Sequence, residues 1–227
     1  MLPETTRVRL DLLWFDLTQS LPVVWRIVRT SFGWPRALIV LGGVLRSTLF
    51  TDPLHMLPTT GKETAGEKYT RAVIANTLHF ETALRRNTSL DEQEVHNLLR
   101  QVVAQSGAAY IRSNLTIPSI PKWKAMSEES QRGFAEGVLE RFENMEAQVV
   151  KEEGFDFGFD VHLCHFANLS RQMGREDLAP LFCEADSVYF GNPLVPVRLH
   201  REEKISVGDS RCSFRFRLEA PEVESGS

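Results

Sequence analysis

The spacing of apolar residues changes once along the chain, near Gly154, and this change restricts the fold more than any other feature. Before it, apolar residues recur every three or four positions, which is typical of helices. After it, apolar and polar residues alternate, as they do in a strand with one buried face. The sequence therefore predicts an α+β protein. Its helical N-terminal two-thirds would pack on a small antiparallel sheet that the C-terminal third largely forms.

Three helices are predicted in the middle of the chain. The range 67–86 has helical spacing, and a capping box that begins at Ser89 precedes the next helix. Two prolines predict a linker at 115–123. The third helix would begin at Ser127 and end at Gly154. Its core-facing residues would be Phe134, Val138, Phe142, Met145 and Val149.

The C-terminal third predicts strands that flank two helices. A strand begins at Phe157, and glycines end the two helices, at 166–173 and 177–189. Alternation over 195–207 predicts an inward-facing strand, and a last strand follows the Gly208 turn.

One α+β domain is expected over 1–218, divided into a helical part of about 1–153 and a β-α-α-β-β part of about 155–218. The acidic tail, 219–227, has a composition typical of disorder.

Composition excludes several classes of function. The 26 basic and 30 acidic side chains give a net charge of −4, which offers no overall attraction for nucleic acid. The N-terminus lacks the pattern of a signal peptide, and three cysteines are too few for a disulfide scaffold, so a cytoplasmic location is expected.

The apolar run Ala37 to Leu45 is too short to span a membrane and predicts a buried helix with a close approach at Gly42-Gly43. A membrane-surface helix is the minor alternative, because Trp25, Trp34 and arginines flank this run.

Reactive side chains concentrate between His162 and Cys212. His162, Cys164 and His165 are potential zinc ligands, but strand alternation would put His165 on the opposite face from the other two. No CxxC pair is present, so we expect no metal and no cofactor, with zinc or iron as the minor alternative.

Cys183 is a candidate nucleophile on a predicted helix, with Asp186 one turn further on. A carboxylate alone would raise the pKa of the thiol, so a base or a cation is also needed. The alternative is a small buried hydrophobe. Arg201 has the parity of an inward-facing strand residue, and an inward guanidinium would either pair with an acid such as Asp186 or bind a ligand carboxylate. If the strand twists or bulges at this position, the guanidinium would instead extend to solvent.

The segment from about Phe159 to Arg217 combines three cysteines with glycines, phenylalanines, an acid and an arginine at characteristic spacings. These residues are Cys164, Gly174, Phe182, Cys183, Asp186, Arg201, Gly208, Cys212 and Phe214. In this pattern the segment resembles the L-2-amino-thiazoline-4-carboxylic acid hydrolase family. Ser213 departs from the pattern, which usually has an acid after the last cysteine. The ending GDSRCSF is also similar to that of 4-vinyl reductase-like small-molecule-binding domains.

The resemblance implies a hydrolase that opens a small cyclic amidine and yields a carbamoyl-cysteine. Cys183 would be the nucleophile and Cys164 the other candidate, and the proton would pass through Asp186 or a histidine, His162 or His165. Arg201 would hold the substrate carboxylate. Cys212 and Phe214 would be structural residues near the site. Two alternatives remain: a metal-dependent hydrolase that uses the same residues, and a non-catalytic binding module. The expected partners are a small-molecule substrate and a second copy of the chain.

Overall fold

Four strands form one antiparallel sheet in the C-terminal part of the chain. They are β1 (Met145–Val150), β2 (Phe157–Cys164), β3 (Val197–His200) and β4 (Cys212–Leu218), in the order β1-β2-β4-β3. The computed structural model describes residues 14–55, 57, 63–142 and 144–220. The α+β class predicted from the sequence is therefore confirmed.

Helices occupy most of the remaining described chain. They are α1 (Leu21–Phe50), α2 (Ala65–Asn87), α3 (Glu92–Asn114), α4 (Ile120–Lys124), α5 (Glu128–Leu139), α6 (His165–Gln172) and α7 (Ala179–Phe190). The last two correspond to the two helices that the C-terminal third predicted.

The chain divides into two compact units, Met1–Tyr110 and Ile111–Ser227. In the first, a capping box between Thr64 and Glu67 begins α2. In the second, the sheet carries the residues discussed below. The single domain predicted over 1–218 remains a prediction. The expectations for the N-terminus and for the disordered tail lie largely outside the described residues, which omit 1–13 and 221–227.

An aromatic cluster forms the core of the second unit around Phe157. Its ring stacks on Phe216 of the neighbouring strand, with the ring centroids 4.6 Å apart. On its other sides it meets Trp123 of α4 at 5.5 Å and Phe134 of α5 at 5.4 Å. These contacts attach the two short helices to one face of the sheet.

The predicted helix from Ser127 to Gly154 is wrong beyond its first half. Helix α5 ends at Leu139, and Met145 and Val149 lie in strand β1. The sequence Met-Glu-Ala-Gln-Val-Val also alternates, and pairing with β2 supplies the backbone hydrogen bonds that decide between the two structures. The helical part therefore ends before the predicted 153.

Other helices and strands also begin or end at residues different from those predicted. The strand predicted over 195–207 ends at His200, and Ile205–Val207 forms a 3₁₀ turn. Helix α4 occupies the second half of the predicted linker and extends one residue beyond it. The capping box before α3 uses Asp91, whose carboxylate accepts the backbone N–H of Glu94, rather than Ser89. Acid and hydroxyl side chains cap a helix by the same hydrogen bond, and the capping box forms two residues later than predicted.

Helix α1 is interrupted at Gly33, which has a left-handed φ of 75° and divides it into two segments. Only one face of the second segment is buried, through Ala37 and Val40. The prediction of a buried helix therefore holds for one face of this segment and is wrong for the other. The close approach is at Gly43, where an added Cβ would lie 3.3 Å from the Cβ of Ala83. Within the described residues, no helix is long and apolar enough to cross a membrane.

The second face of the sheet carries a charged network. The Arg215 side chain is 10% exposed, and its Nη1 lies 2.8 Å from an oxygen of Asp160. Arg211 Nη1 lies 2.7 Å from the other oxygen. Because both members of the Asp160–Arg215 pair are buried, each needs the other to remain charged.

Gly158 gives a test of strand packing. A Cβ there would lie 2.7 Å from the backbone oxygen of Phe214, so we expect Gly158→Ala to lower the free energy of unfolding by about 1–3 kcal/mol. Gly133, exposed in α5, has no atom within 4 Å of such a Cβ, so Gly133→Ala should raise it by roughly 0.5–1 kcal/mol. Urea denaturation of both variants measures the contrast. Equal effects would show that the strand has room at Gly158.

Candidate active site

The three cysteines come from three separate elements of the second unit. Cys164 is the last residue of β2, Cys183 lies in α7, and Cys212 begins β4. All three are free thiols. Cys212 pairs with Val161, three residues before Cys164, and its sulfur accepts the backbone N–H of Ile205, next to the Ser206 that accepts a hydrogen bond from Cys183. The structure thus brings together residues up to 48 positions apart in the sequence.

A β-bulge directs Cys164 toward this cluster. Across β1 and β2, Met145 pairs with Cys164 and Ala147 pairs with Val161, so β2 has one residue more than β1 in this stretch. Partners across antiparallel strands point to the same face, and the extra residue therefore reverses the alternation. Cys164 consequently shares the face of Val161, whose partner in β4 is Cys212. The simple alternation from which His162 and Cys164 were predicted to share a face does not hold here, because His162 is the residue that the register leaves unpaired.

A buried ion pair lies beside the cysteines. Arg201 Nη1 is 2.6 Å from Asp186 Oδ2, and the two side chains are 5% and 21% exposed. Arg201 Nη2 donates to the backbone oxygen of Cys183 at 3.2 Å. The guanidinium also lies over the ring of Phe214, with Cζ 4.9 Å from the centroid. Of the two alternatives for Arg201, the structure has the ion pair with Asp186.

One donor of this guanidinium is unused. Arg201 Nε is buried and has no hydrogen-bond partner among the described residues. A buried N–H without a partner costs free energy, and such groups in native proteins call for an explanation. A ligand that brings a carboxylate to Arg201 would supply the missing acceptor.

Charge and burial act on the pair in opposite directions. Burial raises the pKa of the Asp186 carboxyl, although Arg201 opposes the shift. Burial alone would lower the pKa of Arg201, but the charge of Asp186, its hydrogen bond to Arg201 and the charges of Cys183 and Cys212 together outweigh burial and raise the pKa. The guanidinium is therefore the group that stays charged under all ordinary conditions.

The Cys183 thiol is protonated in this environment. It donates a hydrogen bond to Ser206 Oγ at 3.2 Å. Burial raises its pKa, and the negative charge of Asp186 adds to the shift, while Ser206 and Arg201 lower it. A nucleophilic thiolate therefore requires a base that arrives with the substrate or moves into the site.

The other two thiols are also protonated. Burial raises the pKa of Cys164 to about 11, although backbone N–H groups of Ala167 and Phe166 at the start of α6 lower it. Burial raises the pKa of Cys212 as well, against a backbone hydrogen bond from Ile205.

The raised pKa of Cys164 predicts a loss of stability at alkaline pH. In the unfolded chain this thiol ionises near pH 9, whereas the folded protein holds its proton until about 11. The free energy of unfolding should therefore fall as the pH rises from about 9 to about 11, by up to about 2 to 3 kcal/mol. Urea denaturation across that range tests this, and the Cys164→Ala variant should show a shallower fall. Parallel curves for the two proteins would contradict the shift.

A loop that includes the 3₁₀ turn presents both partners of Cys183. This loop, residues 201–209 (the 201–209 loop), carries Arg201 and Ser206. Three side chains accept hydrogen bonds from four consecutive backbone N–H groups of this loop. Ser213 Oγ accepts those of Glu202 and Glu203 at 3.3 and 3.1 Å, Asp209 that of Lys204 at 2.7 Å, and Cys212 Sγ that of Ile205 at 3.2 Å.

These contacts give Ser213 and Cys212 a supporting role. Both fix the backbone that places Arg201 and Ser206 without themselves hydrogen-bonding to Cys183. The sequence did not identify Ser206, because the strand assumed over 195–207 gave it no special position. The departure at Ser213 was the one signal that this part of the chain differs from the family pattern.

The two histidines lie apart from these contacts. His162 is exposed at the bulge, and His165 is buried as the first residue of α6. Neither ring hydrogen-bonds to a cysteine, to Asp186 or to Arg201 in the described part of the chain. Their predicted roles remain predictions. No group of three or more His, Cys, Asp or Glu side chains that could hold a metal is found among the residues the structure describes.

A model of the L-2-amino-thiazoline-4-carboxylic acid hydrolase family matches residues 60–216, more than half of the chain. The chain belongs to this family. The match confirms the resemblance of the C-terminal third and extends it over the ranges of helices α2 and α3, where the sequence gave no recognisable motif. Family membership places the cysteine cluster, Arg201 and Asp186 within the matched region.

Two further comparisons add little. No curated protein matches the chain. Among solved structures, an oxygen-binding H-NOX domain related to soluble guanylate cyclases matches with a TM-score of 0.29 and 13% identity, over 92% of this chain and 100% of that chain.

Proposed function

We propose that this protein is a hydrolase that opens a small cyclic amidine of the thiazoline type, with Cys183 as the nucleophile. The observation that carries the proposal is the meeting of the Cys183 thiol with a buried Arg201–Asp186 pair that has one unused donor. The family's name specifies a ring with a carboxylic acid and a hydrolytic reaction. The site contains a guanidinium suited to the carboxylic acid, that of Arg201, and a thiol suited to the reaction, that of Cys183.

Arg201 would bind the substrate carboxylate. Its guanidinium is held by Asp186, by the backbone oxygen of Cys183 and by the ring of Phe214, so its orientation is fixed before any ligand arrives. A fixed guanidinium binds a carboxylate with less loss of side-chain entropy than a free one. Its contact with the Cys183 backbone would also place the ring near the thiol.

The base for Cys183 would be the substrate itself. Among the residues that the structure describes, no histidine hydrogen-bonds to the thiol, and Asp186 is paired with Arg201. A ring nitrogen of an amidine is a good proton acceptor. Attack would form a bond between Cys183 Sγ and the ring carbon that lies between nitrogen and sulfur, while the thiol proton passes to the ring nitrogen and the C=N double bond becomes single.

Ring opening and hydrolysis would complete the cycle. The ring C–N or C–S bond breaks, and the departing atom keeps the electrons and takes the proton that the exocyclic amino group releases. Water then adds to the resulting C=N bond, and the carbon–sulfur bond to Cys183 breaks as the sulfur recovers a proton. The sum is one substrate plus one water, with no atom lost.

The test is a mass-spectrometric assay of the purified protein. We expect L-2-amino-thiazoline-4-carboxylate to gain the mass of one water, and the analogue without the carboxylate to be turned over at least about tenfold more slowly at low concentration. The analogue serves as the matched control for Arg201. Equal rates for the two compounds would contradict the role of Arg201.

Two other outcomes would replace the proposal. Stoichiometric zinc or iron in the active protein, with activity lost to a chelator, would favour a metal-dependent hydrolase that uses the same cysteines or histidines. If a panel of cyclic amidines, lactams and thioesters gives no product, while one of them raises the melting temperature, the protein is a binding module.

A further inference from the structure

The second segment of α1 exposes apolar side chains on the face that does not pack. Its buried face contains Ala37 and Val40, both fully buried. On the opposite side four large apolar residues, spaced four, seven and four positions apart, form one stripe along the helix. This apolar stripe is Trp34, Leu38, Leu45 and Leu49, each between 59% and 67% exposed.

Exposed apolar area of this kind is unusual. Single exposed leucines are common in soluble proteins, but a continuous stripe marks a surface that meets something apolar. Ile39 and Phe50, at 55% and 78% exposure, add exposed apolar area roughly 100° further round the helix. A helix that is apolar on both sides is normally buried on both sides.

The charges around the stripe have one sign. Between Asp16 and Asp52 the sequence contains no acidic residue and four arginines, although the whole chain has a net charge of −4. Arg46 lies one turn before Leu49 and borders the stripe, and the guanidinium of Arg29 lies over the ring of Trp34 at 5.7 Å. The stripe therefore lies in a local region of positive charge.

This combination of positive charge and apolar area indicates what kind of partner the stripe binds. A second copy of the same surface would bring its arginines against these arginines, which is unfavourable. An anionic lipid surface instead offers negative headgroups for the arginines and acyl chains for the leucines, and tryptophan is favoured at that boundary. The helix would then lie in the plane of the interface rather than cross the bilayer, since no described helix is suited to crossing.

We propose that the apolar stripe binds the surface of an anionic lipid bilayer. The stripe enters the boundary between headgroups and acyl chains, and Arg29 and Arg46 contact lipid phosphates. This inference does not depend on the proposed hydrolase function, because it involves neither the cysteines nor Arg201.

The experiment is co-sedimentation of the full chain with vesicles of phosphatidylcholine alone or with phosphatidylserine at about one-third. We expect binding to the anionic vesicles, a blue shift of tryptophan fluorescence that Trp34→Phe reduces, and weakening by salt. Leu45→Glu should reduce the binding at least about tenfold. The matched control is Leu194→Glu, since Leu194 is 68% exposed in the second unit.

The controls distinguish the stripe from unspecific stickiness. Leu45→Glu replaces an exposed residue, so its melting temperature should match that of Leu194→Glu, and an equal loss of binding in both would contradict the proposal. Absence of binding to anionic vesicles would also overturn it. Concentration-dependent dimers that Leu45→Glu abolishes would assign the stripe to a second copy of the chain instead.

Discussion

Replacement of Cys183 by alanine is expected to reduce turnover of L-2-amino-thiazoline-4-carboxylate at least about 10³-fold while leaving substrate binding nearly intact. The proposed reaction passes through a bond to the Cys183 sulfur, so without it only positioning of the ring remains. Arg201 would still hold the carboxylate, because its contact at this position is with the backbone oxygen of Cys183. The rate of product formation and the shift in melting temperature with substrate measure the two effects separately.

Cys164→Ala is the matched control for this prediction. Both residues are partly buried free cysteines in the same cluster, but Cys164 lacks the Ser206 contact and has its pKa raised to about 11. We expect turnover in Cys164→Ala within about tenfold of the wild type. If Cys164→Ala abolishes turnover and Cys183→Ala does not, the nucleophile has been assigned to the wrong cysteine.

Replacement of Asp186 by alanine should lower the free energy of unfolding by about 3–5 kcal/mol. It leaves the guanidinium of Arg201, 5% exposed, without its anion. Arg201→Met should cost less, because the remaining carboxyl of Asp186 can take up a proton. Burial already raises its pKa. A guanidinium has no corresponding route to neutrality. Urea denaturation at neutral pH compares the two variants.

A double variant separates the ion pair from the packing around it. Asp186→Leu with Arg201→Met removes both charges and keeps side chains of similar size, and its stability should be within about 1–2 kcal/mol of the wild type. It should nevertheless bind no substrate carboxylate. Equal losses in the two single variants would show that the asymmetry between acid and guanidinium does not govern this site.

Local patterns in the sequence predicted much of the fold. The alternation at Phe157 to Leu163 and at Cys212 to Leu218 gave the two central strands, and Gly174 ends α6 with a left-handed φ of 64°. The segment Met145–Val150 could not be assigned in this way. Its apolar residues fit both helical and strand spacing, and pairing with a strand distant in the sequence decides between them.

The candidate site, like the fold, could be predicted from the sequence only in part. Cys183 and Asp186 could be placed together from the sequence, since residues three apart are neighbours on a helix. The position of Cys164 could not, because it depends on a one-residue bulge that only the register with β1 reveals. Ser206 was missed because its contact with Cys183 spans 23 residues and a loop assigned as strand.

By itself the sequence determined the α+β class, the family and the residue types available for chemistry, because periodicity, capping and motif spacing are local properties of the chain. The tertiary structure decided which of those residues meet. It turned Cys164 toward Cys212, buried Arg201 against Asp186 and left the apolar stripe of α1 exposed. Such outcomes depend on strand register and on which faces find a packing partner, and both are fixed by contacts between residues far apart in the chain.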